Sequence, residues 1–336
     1  MKKIIFAFSL VLMSAFILKI KWHSDPLVPR NGVRSFLQYP LTAGLPKILT
    51  RLNFQLTHNN QRNIVYVIVH EPDYELDYRS PEALRISLLK NDISKLSVGH
   101  MQIAWSCKIN DRLYESATGF SGDSSNISYD LIKNGFGVSA LVTTYLDGHF
   151  ESPSDVQSYL ISSLKKKKLT ILALNVGDHC KQVLKNVWTS INSSHSSYFS
   201  IGLVASDKNI TGRSCSSMAI SWLAHLPNIQ HYLVSGSLKL LKVPYHLFGH
   251  PKDATVSSYI LLPSFLESIN HTVSPLSIFP SRWPQNGVEV ILYDPGTLAQ
   301  TIVNSNFDYV DFDNFGIKSH AAIFKDEFPA VAKVTR

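Results

Sequence analysis

The strongest structural signal in the sequence is a run of six β-prone residues at 64–69, Ile-Val-Tyr-Val-Ile-Val. β-Branched and aromatic side chains are enriched in strands, and the run contains no charged residue. A strand without polar alternation belongs inside a sheet rather than at an edge that is open to solvent. The sequence therefore predicts that residues 64–69 form a central strand.

Further strands and helices are predicted around this run. Residues 98–105 and 112–117 have strand character, and the short polar stretch between them predicts a hairpin. Ser152-Pro153 indicates the start of a helix, because serine caps a helix and proline suits its first turn. Other strands are predicted at 137–145 and 169–175, and other helices at 178–191 and 216–226. Strands crowded between helices and joined by hairpins indicate an α+β fold.

The N-terminus resembles an export signal. Lys2 and Lys3 precede a predominantly apolar stretch at residues 4–18. We predict that residues 1–22 are a signal peptide or a membrane anchor. No clean cleavage site and no cysteine for lipid attachment follow, so both alternatives stay open. Either one places the folded body outside the cytoplasm, so we expect an exported protein that is periplasmic or anchored to the membrane.

The charge of the chain indicates anionic partners. The formal net charge is +7, which favours contact with lipid head groups, cell-wall polymers or nucleic acid. No zinc-finger spacing, RNP-like motif or basic zipper accompanies the charge, so a nucleic-acid partner is not predicted. His246 and His250 are four residues apart, but Gly249 and Pro251 argue against a helix there. No metal site and no cofactor are predicted.

Cys215 is the first candidate for chemistry. Ser214 is a natural helix N-cap and would place Cys215 in the first turn of a helix. The helix dipole favours a thiolate at that position, and the unpaired backbone N–H groups of the turn can stabilise an oxyanion. The alternative is that Cys215 is a small apolar residue of the core.

His100 and Glu115 are the candidate partners of this cysteine. His100 begins a strand from which it could reach the start of a packed helix and take the thiol proton. Glu115 lies on the next strand of the predicted hairpin, where it could accept a hydrogen bond from the second ring nitrogen of His100. The alternatives are a histidine without a catalytic role and a glutamate on a solvated strand face.

The two other cysteines, Cys107 and Cys180, give a second possibility. Cys180 also begins a predicted helix and is a rival nucleophile, although the neighbouring His179 points elsewhere on a helix. In an oxidising compartment Cys107 and Cys180 could instead form a disulfide, which would leave Cys215 as the odd free thiol.

Three short segments carry a resemblance to a known family. They are 98–105 (Val-Gly-His-Met-Gln-Ile-Ala-Trp), 113–117 (Leu-Tyr-Glu-Ser-Ala) and 214–219 (Ser-Cys-Ser-Ser-Met-Ala). Their order resembles the circularly permuted branch of the NlpC-type papain-fold cysteine hydrolases, in which the histidine strand precedes the cysteine helix. The resemblance implies that Cys215 is the nucleophile, His100 the base and Glu115 the orienting residue.

The resemblance and the composition together predict a domain organisation. By the resemblance, a papain-like antiparallel sheet would pack against the cysteine-bearing helix within residues 62–244. Residues 23–61 are mixed in composition, with several Pro, Asn and Gln residues, and are predicted to be a linker that wraps onto this body. Residues 245–336 lie beyond the resemblance and are predicted to be a C-terminal extension.

The function that this resemblance implies is a thiol-dependent hydrolase or acyltransferase. Its substrate would contain an amide or ester bond of the cell envelope, in a cell-wall peptide or a lipid-linked acyl group. One alternative is a non-catalytic envelope binding protein with the same fold. Another is a membrane-surface protein that binds anionic lipid through its basic charge.

Overall fold

A computed structural model gives the structure of the protein. The described ranges are 41–57, 63–72, 99–122, 144–145, 148–193, 199–200, 213–243, 260–261, 288–305, 308–314, 317–323 and 331–333, with single positions between 74 and 90.

The predicted N-terminal signal or anchor, residues 1–22, lies outside the described residues and stays a prediction. Within the described ranges no helix is both long and apolar enough to cross a membrane.

A largely antiparallel sheet forms the centre of the fold. Its strands are β1 (Ile64–His70), β2 (His100–Ile109), β3 (Arg112–Gly122), β5 (Gly148–Phe150), β6 (Leu169–Asn175), β10 (Asp308–Asn314), β11 (Ile317–Ile323) and β12 (Val331–Lys333). They are ordered β10-β11-β6-β1-β2-β3-β5, and β12 also pairs with β6. Two separate two-stranded sheets join β4 (Thr144–Tyr145) to β8 (Ile260–Leu261) and β7 (Leu238–Val243) to β9 (Val288–Tyr293).

The predicted central strand is confirmed. β1 lies between β2 and β6, pairs antiparallel with both, and is buried along its whole length. The hairpin is also confirmed, but its connection is shorter than the predicted polar stretch. Only Asn110 and Asp111 form the turn, with φ values of 48° and 61°. Two positive φ angles are what a two-residue hairpin of type I′ requires, and Asn and Asp tolerate them well.

Helices cover both faces of the central sheet. They are α1 (Lys47–Thr57), α2 (Pro153–Lys166), α3 (Cys180–Ile191), α4 (Cys215–Trp222), α5 (Pro227–Ser237) and α6 (Pro295–Asn304). Alternate residues of β1 face opposite layers, so Val65, Val67 and Val69 pack with α3, α4, α5 and α6. Ile64, Tyr66 and Ile68 pack with α1 and α2. The α+β prediction agrees with this mixed architecture.

Regions outside the predicted catalytic body also belong to this core. Helix α1, from the predicted linker, buries Ile48, Leu52 and Leu56 beneath the sheet. Helix α6, from the predicted C-terminal extension, buries Leu298 and Ile302 against the opposite face. Strands β10, β11 and β12, which also come from that extension, join the central sheet at β6. The C-terminal residues therefore complete the same folded unit.

Cys107 on β2 and Cys180 at the start of α3 form a disulfide, with their Cα atoms 6.0 Å apart. Cys215 is the free cysteine and is buried. The disulfide removes Cys180 as a rival nucleophile, because its thiol is no longer available. It also fits an oxidising compartment.

Loss of this disulfide is expected to be strongly destabilising. The two cysteines are 73 residues apart. Closing a loop of that length restricts the unfolded chain enough to stabilise the fold by about 4 kcal/mol. Urea titration of a variant with Cys107→Ser and Cys180→Ser should show a correspondingly lower free energy of unfolding. Cys215→Ser is the control, because it keeps the disulfide. Reduction should lower its free energy of unfolding as it does in the wild type. Equal midpoints for the oxidised wild type and the double variant would contradict the expectation.

Candidate active site

The candidate site lies at the beginning of β2, where its neighbour β3 diverges. β3 pairs with β2 as far as Gly119 and then pairs with β5 from Phe120 onward. The first residues of β2, His100 and Met101, therefore have no partner on β3. This opening in the sheet gives side chains from other elements access to the edge of β2.

Gly99 sets the direction from which the chain enters this strand. Its φ is +95°, in the region that L residues with a side chain rarely adopt. A Cβ atom there would also lie 3.2 Å from the Cβ of Pro295. The Gly-His pair noticed in the sequence thus has a structural basis, because glycine permits the entry and His100 follows at once.

Cys215 is the first residue of α4, as predicted. Ser214 has extended backbone angles, and its hydroxyl accepts a hydrogen bond from the N–H of Ser217. The Ser217 hydroxyl in turn accepts a hydrogen bond from the N–H of Ser214. This reciprocal cap fixes the first turn. The N–H groups of Cys215 and Ser216 have no intrahelical acceptor at this position, so they are groups that can stabilise an anion.

His100 and Cys215 interact directly. Charge attraction couples the His100 ring to the Cys215 sulfur, and it lowers the pKa of Cys215 and raises that of His100. Both residues are largely buried, with exposed fractions of 6% for His100 and 7% for Cys215. The structure thus brings together the two residues that the sequence proposed as base and nucleophile.

Glu151 holds the other side of the His100 ring. Its Oε1 lies 2.7 Å from Nε2 of His100. The contact occupies Nε2, so Nδ1 is the other ring nitrogen available for proton exchange with the Cys215 thiol. Glu151 follows β5 and immediately precedes Ser152, the N-cap of α2. Its backbone N–H donates to the carbonyl of Gly119, and its own carbonyl accepts from Thr118 Oγ1 at 3.0 Å.

The side chain of Glu115, the predicted orienting residue, lies elsewhere. Glu115 pairs with Ser106, six residues further along β2 than His100, which corresponds to ~20 Å of extended strand. It lies on the same face as His100 but accepts hydrogen bonds from Ser106 Oγ at 2.7 Å and Asn53 Nδ2 at 3.4 Å. The carboxylate that contacts His100 is therefore that of Glu151 rather than Glu115.

Two further side chains bind the Glu151 carboxylate. The Ser121 hydroxyl donates to Oε1, and the Gln102 amide donates to Oε2. Gly119 leaves the room for this arrangement, since a Cβ atom there would overlap the carboxylate and lie 2.8 Å from Gln102 Cγ. The carboxylate is thus fully hydrogen-bonded although Glu151 is only 1% exposed.

The electrostatics of the three residues reinforce one another. Burial raises the pKa of Glu151, but His100, Ser121 and Gln102 outweigh it and bring this pKa down to about 2. Burial lowers the pKa of His100, but Glu151 and Cys215 raise it well above its usual value. Burial also raises the pKa of Cys215, and His100, the Met101 N–H and the Ser216 hydroxyl lower it below its usual value. The arrangement therefore favours a thiolate–imidazolium pair held by a carboxylate.

Tyr159 packs beside His100 and is partly exposed. Its ring centroid lies 5.2 Å from that of His100, and 37% of the residue is exposed. In the described part of the chain, no three His, Cys, Asp or Glu side chains converge as a metal site requires.

The signal for Glu151 in the sequence is weak. It stands one residue before the Ser152-Pro153 helix start, and nothing local distinguishes it from a solvated glutamate. Only the pairing of β3 with β5 brings it beside His100.

Comparisons of the chain with protein-family models, with curated proteins and with solved structures found no match.

Proposed function

We propose that the protein is a thiol-dependent hydrolase or acyltransferase that uses Cys215 as nucleophile, His100 as acid and base, and Glu151 as the residue that orients His100. The observation that supports it most directly is the contact of one histidine with both a capped helix-start cysteine and a buried carboxylate. A cysteine beside an imidazole that a third group orients is the general arrangement of an activated nucleophile.

The reaction follows from these positions. The Cys215 thiolate attacks a carbonyl carbon and forms a C–S bond, and the electron pair of the C=O bond moves onto the oxygen. The free N–H groups of Cys215 and Ser216 stabilise that oxyanion. The oxyanion collapses, the C–N or C–O bond breaks, and the His100 imidazolium gives its proton to the leaving nitrogen or oxygen.

The second half of the reaction frees the enzyme. A water molecule or another acyl acceptor attacks the thioester carbonyl through its oxygen. Neutral His100 takes the proton that this oxygen loses. The C–S bond then breaks, the acyl product leaves, and the thiolate–imidazolium pair is restored. Glu151 remains ionised throughout and stabilises the imidazolium.

We further propose a papain-like arrangement of the permuted NlpC type, with the histidine strand before the cysteine helix. The order of β2 and α4 along the chain supports this assignment. On the same basis, we propose that the substrate is an amide or ester of the cell envelope, within a cell-wall peptide or a lipid-linked acyl group. The predicted export segment and the Cys107–Cys180 disulfide fit that location.

Trapping of the acyl-enzyme tests this proposal. The protein is mixed with p-nitrophenyl esters that carry fatty acyl chains or short peptides. We expect a burst of one p-nitrophenolate per protein and an equal mass increase that peptide mapping places on Cys215. Cys215→Ser should show no burst, and the burst of His100→Ala should be strongly slowed. A wild type that is not acylated by either class, or acylation at another residue, would overturn the proposal.

A further inference from the structure

We propose that His70 and Gln102 are positioning residues, which hold the Glu151 carboxylate in the orientation that His100 requires. The catalytic consequence of this inference rests on the proposed function, but the arrangement of the hydrogen bonds does not. The inference rests on a continuous chain of hydrogen-bonded side chains, which runs from Ser163 through His70 and Gln102 to Glu151.

The distances in this chain are short and its members are buried. His70 Nδ1 lies 2.8 Å from Ser163 Oγ, and His70 Nε2 lies 2.8 Å from Gln102 Oε1. Gln102 Nε2 then donates to Oε2 of Glu151. His70 is 1% exposed and Gln102 is fully buried. Water therefore cannot replace a missing partner without a change in the packing.

When His70 is neutral, only one assignment of protons satisfies every member of the chain. The ionised Glu151 carboxylate accepts, so the Gln102 amide group must donate to it and direct its oxygen towards His70. That oxygen requires an N–H on Nε2 of His70. Nδ1 of the neutral ring is then an acceptor, and the Ser163 hydroxyl donates to it. The carboxylate thus fixes the amide orientation, and the amide fixes the tautomer of His70.

The surroundings of His70 favour its neutral form. Burial and the nearby His100 lower the pKa of His70 to about 4, although Gln102 and Glu151 oppose the shift. His70 is the cross-strand partner of His100, and their ring centroids lie 6.1 Å apart. Tyr159 of α2 also faces it, at 5.8 Å. A neutral His70 adds no second cation beside Glu151, so the carboxylate serves the imidazolium of His100 alone.

The two carboxylate oxygens consequently have separate roles. Oε1 binds His100 and Ser121, whereas the Gln102 amide binds Oε2. Removal of the His70 donor would leave a buried amide oxygen without a partner and allow Gln102 to rotate away. Glu151 would then lose the contact that fixes the plane of its carboxyl group. The effect would reach Cys215 through His100, without any contact between His70 and substrate.

The experiment compares His70→Leu with His70→Gln in the full chain. The amide of a glutamine can supply the N–H that Gln102 needs, and leucine cannot. Loss of a partner that orients a catalytic group typically costs about 10- to 100-fold. We expect His70→Leu to slow acylation of Cys215 by about that factor and to raise the pH midpoint of its alkylation. His70→Gln should restore most of both. Equal alkylation midpoints in the two variants would overturn the proposal.

Nitrogen NMR of labelled histidine provides a readout that needs no turnover. In the wild type, His70 should be neutral at pH 6 with its proton on Nε2. Ser163→Ala removes only the hydroxyl that bonds Nδ1, so it should weaken this tautomer preference. This variant provides the test if His70→Leu does not fold. A charged His70 at pH 6, or a proton on Nδ1, would refute the positioning role. The expected tautomer together with an unreactive Cys215 would refute the proposed function and leave the hydrogen-bond chain intact.

Discussion

Replacement of His100 with alanine is expected to slow alkylation of Cys215 at pH 6.5 by roughly 10- to 100-fold. An ordinary thiol with a pKa of about 8.5 is only about 1% ionised at that pH. In the wild type, His100 lowers the pKa of Cys215 and keeps much more of it as thiolate. The dipole of α4 remains in the variant, so the loss should be partial. The measurement is the iodoacetamide rate between pH 5 and 10.

The disulfide makes this measurement specific. Cys107 and Cys180 are bonded to each other, so the reagent reports on Cys215. Cys215→Ser serves as the blank. A His100→Ala protein that alkylates as fast as the wild type at every pH would mean that the imidazole does not activate the thiol.

The shape of the pH profile follows from the directions of the shifts. The lowered pKa of Cys215 lets the thiolate persist to lower pH, and the raised pKa of His100 lets the imidazolium persist to higher pH. Acylation by an amide substrate, whose leaving nitrogen must be protonated, should therefore rise with pH through the thiol transition, reach a plateau, and fall when the imidazolium loses that proton. The two transitions belong to the coupled pair rather than to either residue alone.

Replacement of Glu151 with glutamine is expected to reduce acylation of Cys215 by up to about 10,000-fold, the loss seen when the carboxylate of a Ser-His-Asp triad is replaced by its amide. The side chain keeps its size, but the negative charge beside His100 disappears. The pKa of His100 should fall, so the descending limb of the acylation profile should move to lower pH. The alkylation midpoint of Cys215 should rise, because its thiolate loses part of the imidazolium that stabilises it.

Glu115→Gln is the matched control for this substitution. It makes the same chemical change on the same face of the sheet, but at the side chain that binds Ser106 and Asn53. Sites that are far apart and share no partners act independently, so acylation should stay within about 2-fold of the wild type, although thermal stability can fall. If Glu115→Gln impaired acylation as much as Glu151→Gln, the assignment of Glu151 to His100 would be wrong.

Local signals in the sequence were sufficient for several parts of the site. The serine before Cys215 predicts the helix start, because capping depends on residues that are adjacent in the chain. The Gly-His pair at 99–100 predicts the strand entry, and the hairpin follows from alternating strands on either side of a short polar stretch. These interactions act over a few residues, which is why they can be inferred before the fold is known.

The identity of the acidic residue required information of another kind. Glu115 and Glu151 are both plausible partners in the sequence, and Glu115 is on the strand next to His100. The register of β2 with β3 places Glu115 opposite Ser106, and the pairing of β3 with β5 brings Glu151 to His100 instead. Each residue along a strand moves a side chain by ~3.4 Å. Two residues on neighbouring strands therefore make contact only when the register places them opposite each other.

The amino-acid sequence alone therefore specified a central β-strand, a hairpin, a capped cysteine helix and the pairing of Cys215 with His100 as a hypothesis. The folded structure decided which carboxylate joins them, and it showed that α1, α6 and the last strands complete the core around the site. It also revealed the chain from Ser163 to Glu151, whose members come from β1, β2, α2 and the residue before the N-cap of α2. Contacts of this kind depend on strand register and helix packing between distant segments, and no local pattern of residues encodes them.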